Sequence, residues 1–217
     1  METLKLTRKD FDASMRYATN GGILDHDGHI EIEASLGYVT FERLTAKGNI
    51  LAHAGTGIKA GWGIKAGDGI KAGEGIKAGW GIEAGMGIEA GMGIEAGTGI
   101  KAGWGIEAGM GIEAGTGIKA GMGIKAGEGI EAGTGIEAAL YVQCKLALSF
   151  KLRLFAGLCT WRLPTAEEME VRCGRLEGGI IAHGTLIETG LSAQKKPLSG
   201  KKLTVTVDGD TYTATID

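Results

Sequence analysis

The sequence lacks long hydrophobic runs and blocks of one charge. No stretch approaches the roughly 18 apolar residues that a membrane span requires, and the first ten residues, METLKLTRKD, contain no apolar core of a signal peptide. Formal net charge is −3, with neither a basic patch typical of nucleic-acid binding nor an acidic tail. We therefore expect no membrane insertion and no direct nucleic-acid binding.

Paired cysteines are also lacking. Cys144, Cys159 and Cys173 are odd in number and show no Cys-x-x-Cys spacing. This usage favours a reducing compartment, so the sequence predicts a cytoplasmic protein.

Common catalytic and nucleotide-binding motifs are missing as well. The chain contains no Gly-x-x-x-x-Gly-Lys-(Ser/Thr), no Gly-x-Ser-x-Gly and no His-Glu-x-x-His. The segment LDHDGHIE, residues 24–31, is rich in Asp, His and Glu, but no second ligand cluster accompanies it, and we interpret it as a solvated turn. We therefore predict no catalytic residue, no cofactor and no metal site.

Glycine, by contrast, is abundant, with 41 residues, because a six-residue unit fills residues 57–138. The unit Gly-Ile-(Lys/Glu)-Ala-Gly-X repeats without insertion and gives fourteen isoleucines from Ile58 to Ile136, although in the last unit Ala139 replaces the second glycine. A period this strict indicates a repeat architecture. Apolar residues spaced by two and six do not form one helical face, and glycine gaps of four and two exclude a collagen-like bundle.

The unit predicts a short strand, Ile-x-Ala, followed by a bend at Gly-X-Gly. Ile and Ala would point to one side of the strand and Lys or Glu to the other. A single unit cannot bury its isoleucine, so stability must come from stacking of successive coils. The expected fold is therefore an all-β parallel solenoid.

The variable X residues indicate how many units form one coil. At a separation of 18, Trp62 meets Trp80, and Thr98, Thr116 and Thr134 form a row; at a separation of 12, unlike residues meet. Stacked positions should resemble each other, so we predict 18-residue coils with three faces.

The unit resembles that of the hexapeptide-repeat β-helix proteins, and its low-complexity Gly-Ile-x-Ala-Gly character is similar to that of bactofilin-like solenoids. The sequence leaves the handedness of the coil open. Many members of the first group are acyltransferases that use a histidine as general base. The resemblance implies His53 or His183 for that role, which makes acyltransferase-like chemistry one alternative and a self-assembling structural protein another.

Four segments are predicted. Residues 1–22 form a short helical cap, with Thr7 as N-cap, Asp10 three residues later and Phe11 and Met15 four apart. Residues 23–56 form irregular first coils, and residues 57–158 the regular solenoid, in which Cys144 is a core thiol. Residues 159–217 form a capping or oligomerisation segment with a hairpin at 203–216.

The outward Lys and Glu change sign along the array, from lysines at Lys59, Lys65, Lys71 and Lys77 to glutamates that begin at Glu83. This order indicates either a solvated face with pairs between coils or a surface that is basic at one end and acidic beyond.

The large X residues are the candidate interaction site, on the hypothesis that they point outward and form apolar ribs. The sequence leaves open whether they point outward or into the core. The candidate residues are Trp62, Trp80, Met86, Met92, Trp104, Met110 and Met122.

The function predicted from this site is non-enzymatic: a rigid solenoid surface that binds a protein partner. An inhibitor or adaptor of phage or mobile-element origin, such as an anti-defence protein, would act in this way. We also expect self-association, as a homodimer, through the end segments or along a rib of X residues, because uncovered solenoid ends expose unpaired backbone groups.

Overall fold

The computed structural model describes residues 1–190, 202–207 and 210–215 and is a parallel β-solenoid of about nine turns with three sheets. The described residues include no α-helix, and three short 3-10 turns occur at Arg8–Asp10, Asn20–Gly22 and Glu167–Met169. Over the same ranges, no helix is long and apolar enough to cross a membrane. The predicted three-sided, all-β architecture is confirmed.

The three sheets contain ten, nine and eight strands, in the order in which successive coils stack. Sheet 1 consists of Thr3–Leu6, His29–Ile32, Ile50–Ala52, Ile70–Ala72, Ile88–Ala90, Ile106–Ala108, Ile124–Ala126, Val142–Gln143, Glu170–Cys173 and Thr185–Glu188. Sheet 2 consists of Ile23–His26, Arg43–Ala46, Ile64–Ala66, Ile82–Ala84, Ile100–Ala102, Ile118–Ala120, Ile136–Ala138, Arg153–Ala156 and Ile180–His183. Sheet 3 consists of Gly37–Phe41, Thr56–Ala60, Ile76–Ala78, Ile94–Ala96, Ile112–Ala114, Ile130–Ala132, Ala147–Phe150 and Arg175–Glu177.

The register of the sheets confirms the 18-residue coil. Ile76 pairs in parallel with Ile58 on one side and with Ile94 on the other, and Ala78 pairs with Ala96. Like residues therefore stack on like residues in every coil of the array, as the repetition of Thr and Trp at the X positions predicts.

The core is a column of stacked isoleucines and alanines. Every Ile and Ala of the repeat is buried, with Ile76 fully inaccessible and Ala78, the most exposed of them, at 7%. Burial of one isoleucine side chain contributes roughly 1.5–3 kcal/mol, and each coil of the array supplies three. The column therefore replaces the single compact core of a globular domain.

The coils before and after the array belong to the same three sheets but differ in length from the regular ones. Before the array, Ile30 pairs with Ile50 and Ile50 with Ile70, so these coils contain two residues more. After the array, Val142 pairs with Val171, 29 residues later, and Val171 with Leu186, only 15 residues later. Beyond Leu158, the last strands of each sheet extend the stack to Glu188.

The predicted N-terminal helical cap is wrong. Thr3–Leu6 is a strand that pairs in parallel with His29–Ile32. The Thr7 amide does donate a hydrogen bond to the Asp10 carboxylate at 2.7 Å, but around a single 3-10 turn. The spacing of Phe11 and Met15 by four was misleading, because Phe11 packs edge-on against Phe41 and Met15 adopts a positive φ of 59°. Packing of the Phe11 ring against Phe41 therefore outweighs the local preference for a helix.

The predicted hairpin falls on two described strands, Lys202–Val207 and Asp210–Thr215, which pair antiparallel. Leu203 is opposite Ala214 and Val205 is opposite Tyr212. Residues 208–209 and 216 of the predicted hairpin lie outside the described residues, and the capping role assigned to it remains a prediction.

Candidate functional site

The X side chains occupy the three corners of the solenoid and point outward. Trp80 and Trp104 are 64% and 55% exposed, and only Met86 among the seven candidates is half-buried. The bends that carry them are held by hydrogen bonds between coils: the Trp80 amide donates to the Trp62 carbonyl at 2.7 Å. The candidate residues therefore project from a fixed backbone.

Stacking sorts the X residues into three rows. The Trp–Thr row borders sheet 2 and contains Trp62, Trp80, Thr98, Thr116 and Thr134. The Met–Trp row borders sheet 1 and contains Asp68, Met86, Trp104, Met122 and Leu140. The Glu–Met row borders sheet 3 and contains Glu74, Met92, Met110 and Glu128. The seven candidates are thus not one patch but are divided among three corners.

A shallow groove runs along each sheet beside its row. Within the array, the residue before each isoleucine is a glycine that lines the groove, so that position contributes no side chain. The groove volumes are about 710 Å³ on sheet 1, 880 Å³ on sheet 2 and 580 Å³ on sheet 3. We name them groove 1, groove 2 and groove 3 after their sheets.

Groove 2 carries the largest aromatic surface. The indole rings of Trp62 and Trp80 stack with centroids 6.0 Å apart and an interplanar angle of 16°. Both rings remain open to solvent, at 44% and 64% exposure. They form one flat apolar platform at the corner of the solenoid.

The three grooves differ in charge. Within the described part of the chain, the lining of groove 2 includes five cations and two carboxylates: Arg43, Lys65, Lys101, Lys119 and Arg153 against Glu83 and Glu137. For the described residues of groove 3 the balance is reversed, with Lys77 against Glu95, Glu113, Glu131 and Glu177. Groove 1 is near balance, with Lys71 and Lys125 against Glu31, Glu89 and Glu107.

Most outward lysines of the array pair with a glutamate one coil away. The salt bridges are Lys65–Glu83, Lys71–Glu89, Lys77–Glu95, Lys101–Glu83, Lys119–Glu137 and Lys125–Glu107. Hydrogen bonding to Glu95 raises the pKa of Lys77, and hydrogen bonding to Glu107 raises that of Lys125. Among described residues, Glu113 and Glu131 form no salt bridge, which leaves sheet 3 acidic.

The two histidines predicted for acyl transfer lie far apart in the fold. His53 follows the third strand of sheet 1, and its Nε2 lies 2.7 Å from Glu31 Oε1. The hydrogen bond from His53 lowers the pKa of Glu31. His183 ends the last strand of sheet 2, with Nδ1 2.5 Å from the Ala156 carbonyl. Neither histidine lines groove 1, 2 or 3.

The acidic side chains of residues 24–31 form separate ion pairs and not one cluster. Asp25 pairs with Arg43, and Asp27 with Lys47. In residues 1–190 and the two C-terminal strands, no group of three or more His, Cys, Asp or Glu side chains could hold a metal ion. The segment therefore braces the first coils of the solenoid.

Cysteine reactivity is expected to distinguish core from surface. Cys144 and Cys173 are buried and Cys159 is half-buried, all as free thiols. Burial, followed by the nearby Cys173, raises the pKa of Cys144 to about 12, and burial raises that of Cys173. We predict that Ellman's reagent titrates one thiol of the native chain and all three after denaturation. Cys159→Ser should leave no fast-reacting thiol; rapid reaction in that variant would contradict the buried placement of the other two.

Comparison of the chain with protein-family models, curated proteins and solved structures gives no match. The candidate interaction site is therefore described from the geometry of its residues.

The candidate site predicted from the sequence did not include Arg43 or Arg153, which lie outside the regular array. Each precedes an inward leucine, Leu44 or Leu154, that stacks on an isoleucine of the array. They therefore take the places that Gly63 and Gly135 occupy in the regular coils. Extension of the inward ladder back from Ile64 to Leu44 could have revealed Arg43.

Proposed function

We propose that the protein is a non-enzymatic scaffold whose groove 2 binds an acidic surface of a protein partner. The stacked Trp62–Trp80 platform beside a groove with excess cations is the observation that carries this proposal. Tryptophan is among the residues most enriched at energetic hot spots of interfaces. The surrounding cations would steer an acidic partner toward the platform and raise its association rate.

The rigidity of the surface supports the same function. Thr98 donates its amide to Trp80 at 2.9 Å, and Thr116 donates to Thr98 at 2.8 Å, so the whole border of groove 2 is hydrogen-bonded from coil to coil. A surface ordered before binding loses little conformational entropy in the complex. The solenoid thus presents its anchors in a fixed geometry.

Occlusion of a partner's surface would make the protein an inhibitor, and simultaneous use of two faces would make it an adaptor. The anti-defence role of a phage or mobile-element protein, acting in the cytoplasm, is the form of inhibition that we propose. In either case the partner is a protein, and the chain itself performs no chemistry.

The double variant Trp62→Ala/Trp80→Ala tests the proposal. We expect loss of the platform to weaken partner binding by about 30-fold or more, the effect of removing one strong hot spot. The measurement compares captured proteins from a nuclease-treated cell lysate and then the affinity of the purified partner. Met92→Ala/Met110→Ala is the matched control, because it truncates two large X residues beside groove 3.

Three outcomes would contradict the proposal. The first is a partner that binds the platform variant as well as it binds the wild type. Another is salt-sensitive binding of a single-stranded oligonucleotide that depends on the two tryptophans, since basic grooves with aromatics can also bind bases. The last is turnover of an acyl-CoA donor that His53→Ala or His183→Ala abolishes.

A further inference from the structure

The three central residues of the Met–Trp row, which lie between Asp68 and Leu140, have a symmetrical order along the solenoid. Met86, Trp104 and Met122 occupy consecutive coils, so a methionine lies on each side of the tryptophan. Trp104 and Met122 are exposed and Met86 is half-buried. An interface between two identical chains must be complementary to itself, and an order that reads the same in both directions meets that condition.

Sheet 1 is also the face on which two copies would meet with least repulsion. Its outward residues Lys71 and Glu89 are joined at 2.7 Å, and Lys125 and Glu107 at 2.7 Å. These four residues carry no net charge. Two copies of sheet 2 would instead bring excess cations together, and two copies of sheet 3 excess carboxylates.

We infer that two copies of the chain associate through sheet 1, antiparallel, with the two-fold axis passing beside Trp104. Such an axis lies in the interface and perpendicular to the solenoid axis, so it keeps both Met–Trp rows at the same edge. Trp104 then packs on Trp104 of the second copy, and Met86 packs on Met122. The three residues together form an apolar strip shared by both chains.

This axis gives compatible charges in the five coils nearest to it. One coil from the axis, Glu89 faces Lys125 of the second copy, and two coils from it, Lys71 faces Gln143. Glu107 faces its own equivalent, and the Lys125 bound to each Glu107 offsets that repulsion.

The axis also lies near the middle of the sheet, which maximises overlap. The strand that follows Trp104, Ile106–Ala108, is the sixth of ten in sheet 1. An antiparallel pair centred there overlaps nine strands, about 40 Å at roughly 4.8 Å per strand. Groove 2 is on another face, so this dimer does not depend on the proposed partner site.

Crosslinking tests both the face and the direction of pairing. In a Cys159→Ser background, single cysteines replace Lys71, Gln143 or Glu107, all of them outward on sheet 1. A bis-maleimide that spans about 10 Å, the usual distance between packed sheets, should link Glu107→Cys to itself. Lys71→Cys and Gln143→Cys should form a linked dimer only when the two variants are mixed.

Sedimentation equilibrium provides the second measurement. We expect a wild-type dimer at micromolar concentration, and Trp104→Lys should weaken its association by about 30-fold or more. Trp80→Lys, the matched change on another corner, should leave the dimer intact.

A wild-type monomer at micromolar concentration would overturn the inference. A dimer that tolerates Trp104→Lys would do so as well. Efficient linking of Lys71→Cys to itself would indicate parallel chains and would also reject the antiparallel arrangement. Because the cysteine variants retain Trp104, the crosslinking result stands even if Trp104→Lys fails to fold.

Discussion

Removal of one complete coil, residues 81–98, should leave a protein that folds cooperatively, with a melting temperature lower by only a few degrees. Ile64 would then stack on Ile100, and every inward residue would keep its column. Stability in such arrays is approximately a sum over coils and their interfaces, so one coil removes one increment. Circular dichroism during heating measures the outcome.

Removal of only three residues, 81–83, should abolish folding. An odd shift turns every later isoleucine outward and every later Lys or Glu into the core, because strand side chains alternate. Similar melting curves for the two deletions would contradict a registered stack. Changes in charge pairing do not explain the expected difference. After removal of the coil, Lys71 faces Glu107 and Lys77 faces Glu113, so both pairs stay oppositely charged. Only Lys65 and Lys101 form a new like-charged pair.

Gly103→Ala should destabilise the protein by at least about 3 kcal/mol, whereas Gly105→Ala should change stability by less than about 1 kcal/mol. A Cβ atom at Gly103 would lie 1.9 Å from the Gly85 carbonyl oxygen, which belongs to the backbone of the preceding coil. A Cβ atom at Gly105 would lie 3.4 Å from the nearest atom, the Gly123 carbonyl oxygen, an ordinary contact. Urea denaturation measures the two free energies of unfolding.

The same pair one coil earlier provides a replicate. Gly85 and Gly87 show the corresponding distances, 1.9 Å to the Gly67 oxygen and 3.5 Å to the Gly105 oxygen. If alanine at the two glycines of a bend changed the free energy of unfolding equally, the structure would be contradicted. The close approach of neighbouring coils at the first glycine would then be absent. The two glycines of one bend thus have different steric roles.

The array could be predicted from sequence because its pattern is redundant. Fourteen units repeat the alternation of Ile and Ala, and the Thr98 and Thr116 positions reveal the number of faces. The N-terminal segment offers no repetition. There, the four-residue spacing of Phe11 and Met15 favours a helix locally, but burial of Phe11 against Phe41 outweighs that preference.

The sequence left two charge arrangements open, pairs between coils or a surface basic at one end, and the salt bridges between coils confirm the first. Lysines precede glutamates in the chain, which suggests a difference between the two ends of the solenoid. Consecutive units, however, lie on different faces, and each face receives only every third unit. The excess of one sign therefore falls on particular faces, with sheet 3 acidic and groove 2 basic.

The steric difference between Gly103 and Gly105 could not be predicted from the sequence. It depends on how closely one coil packs on the next, and the pattern of residues does not contain that distance.

The distribution of successive units over three faces also restricts how this chain can change length during evolution. Recombination between near-identical repeats adds or removes whole units. Loss of a single unit preserves the inward column but moves every later residue to the neighbouring face, so Trp104 would leave the edge of sheet 1. Loss or gain of three units keeps every face intact. Natural variants that retain the same surfaces should therefore differ from this chain by multiples of three units.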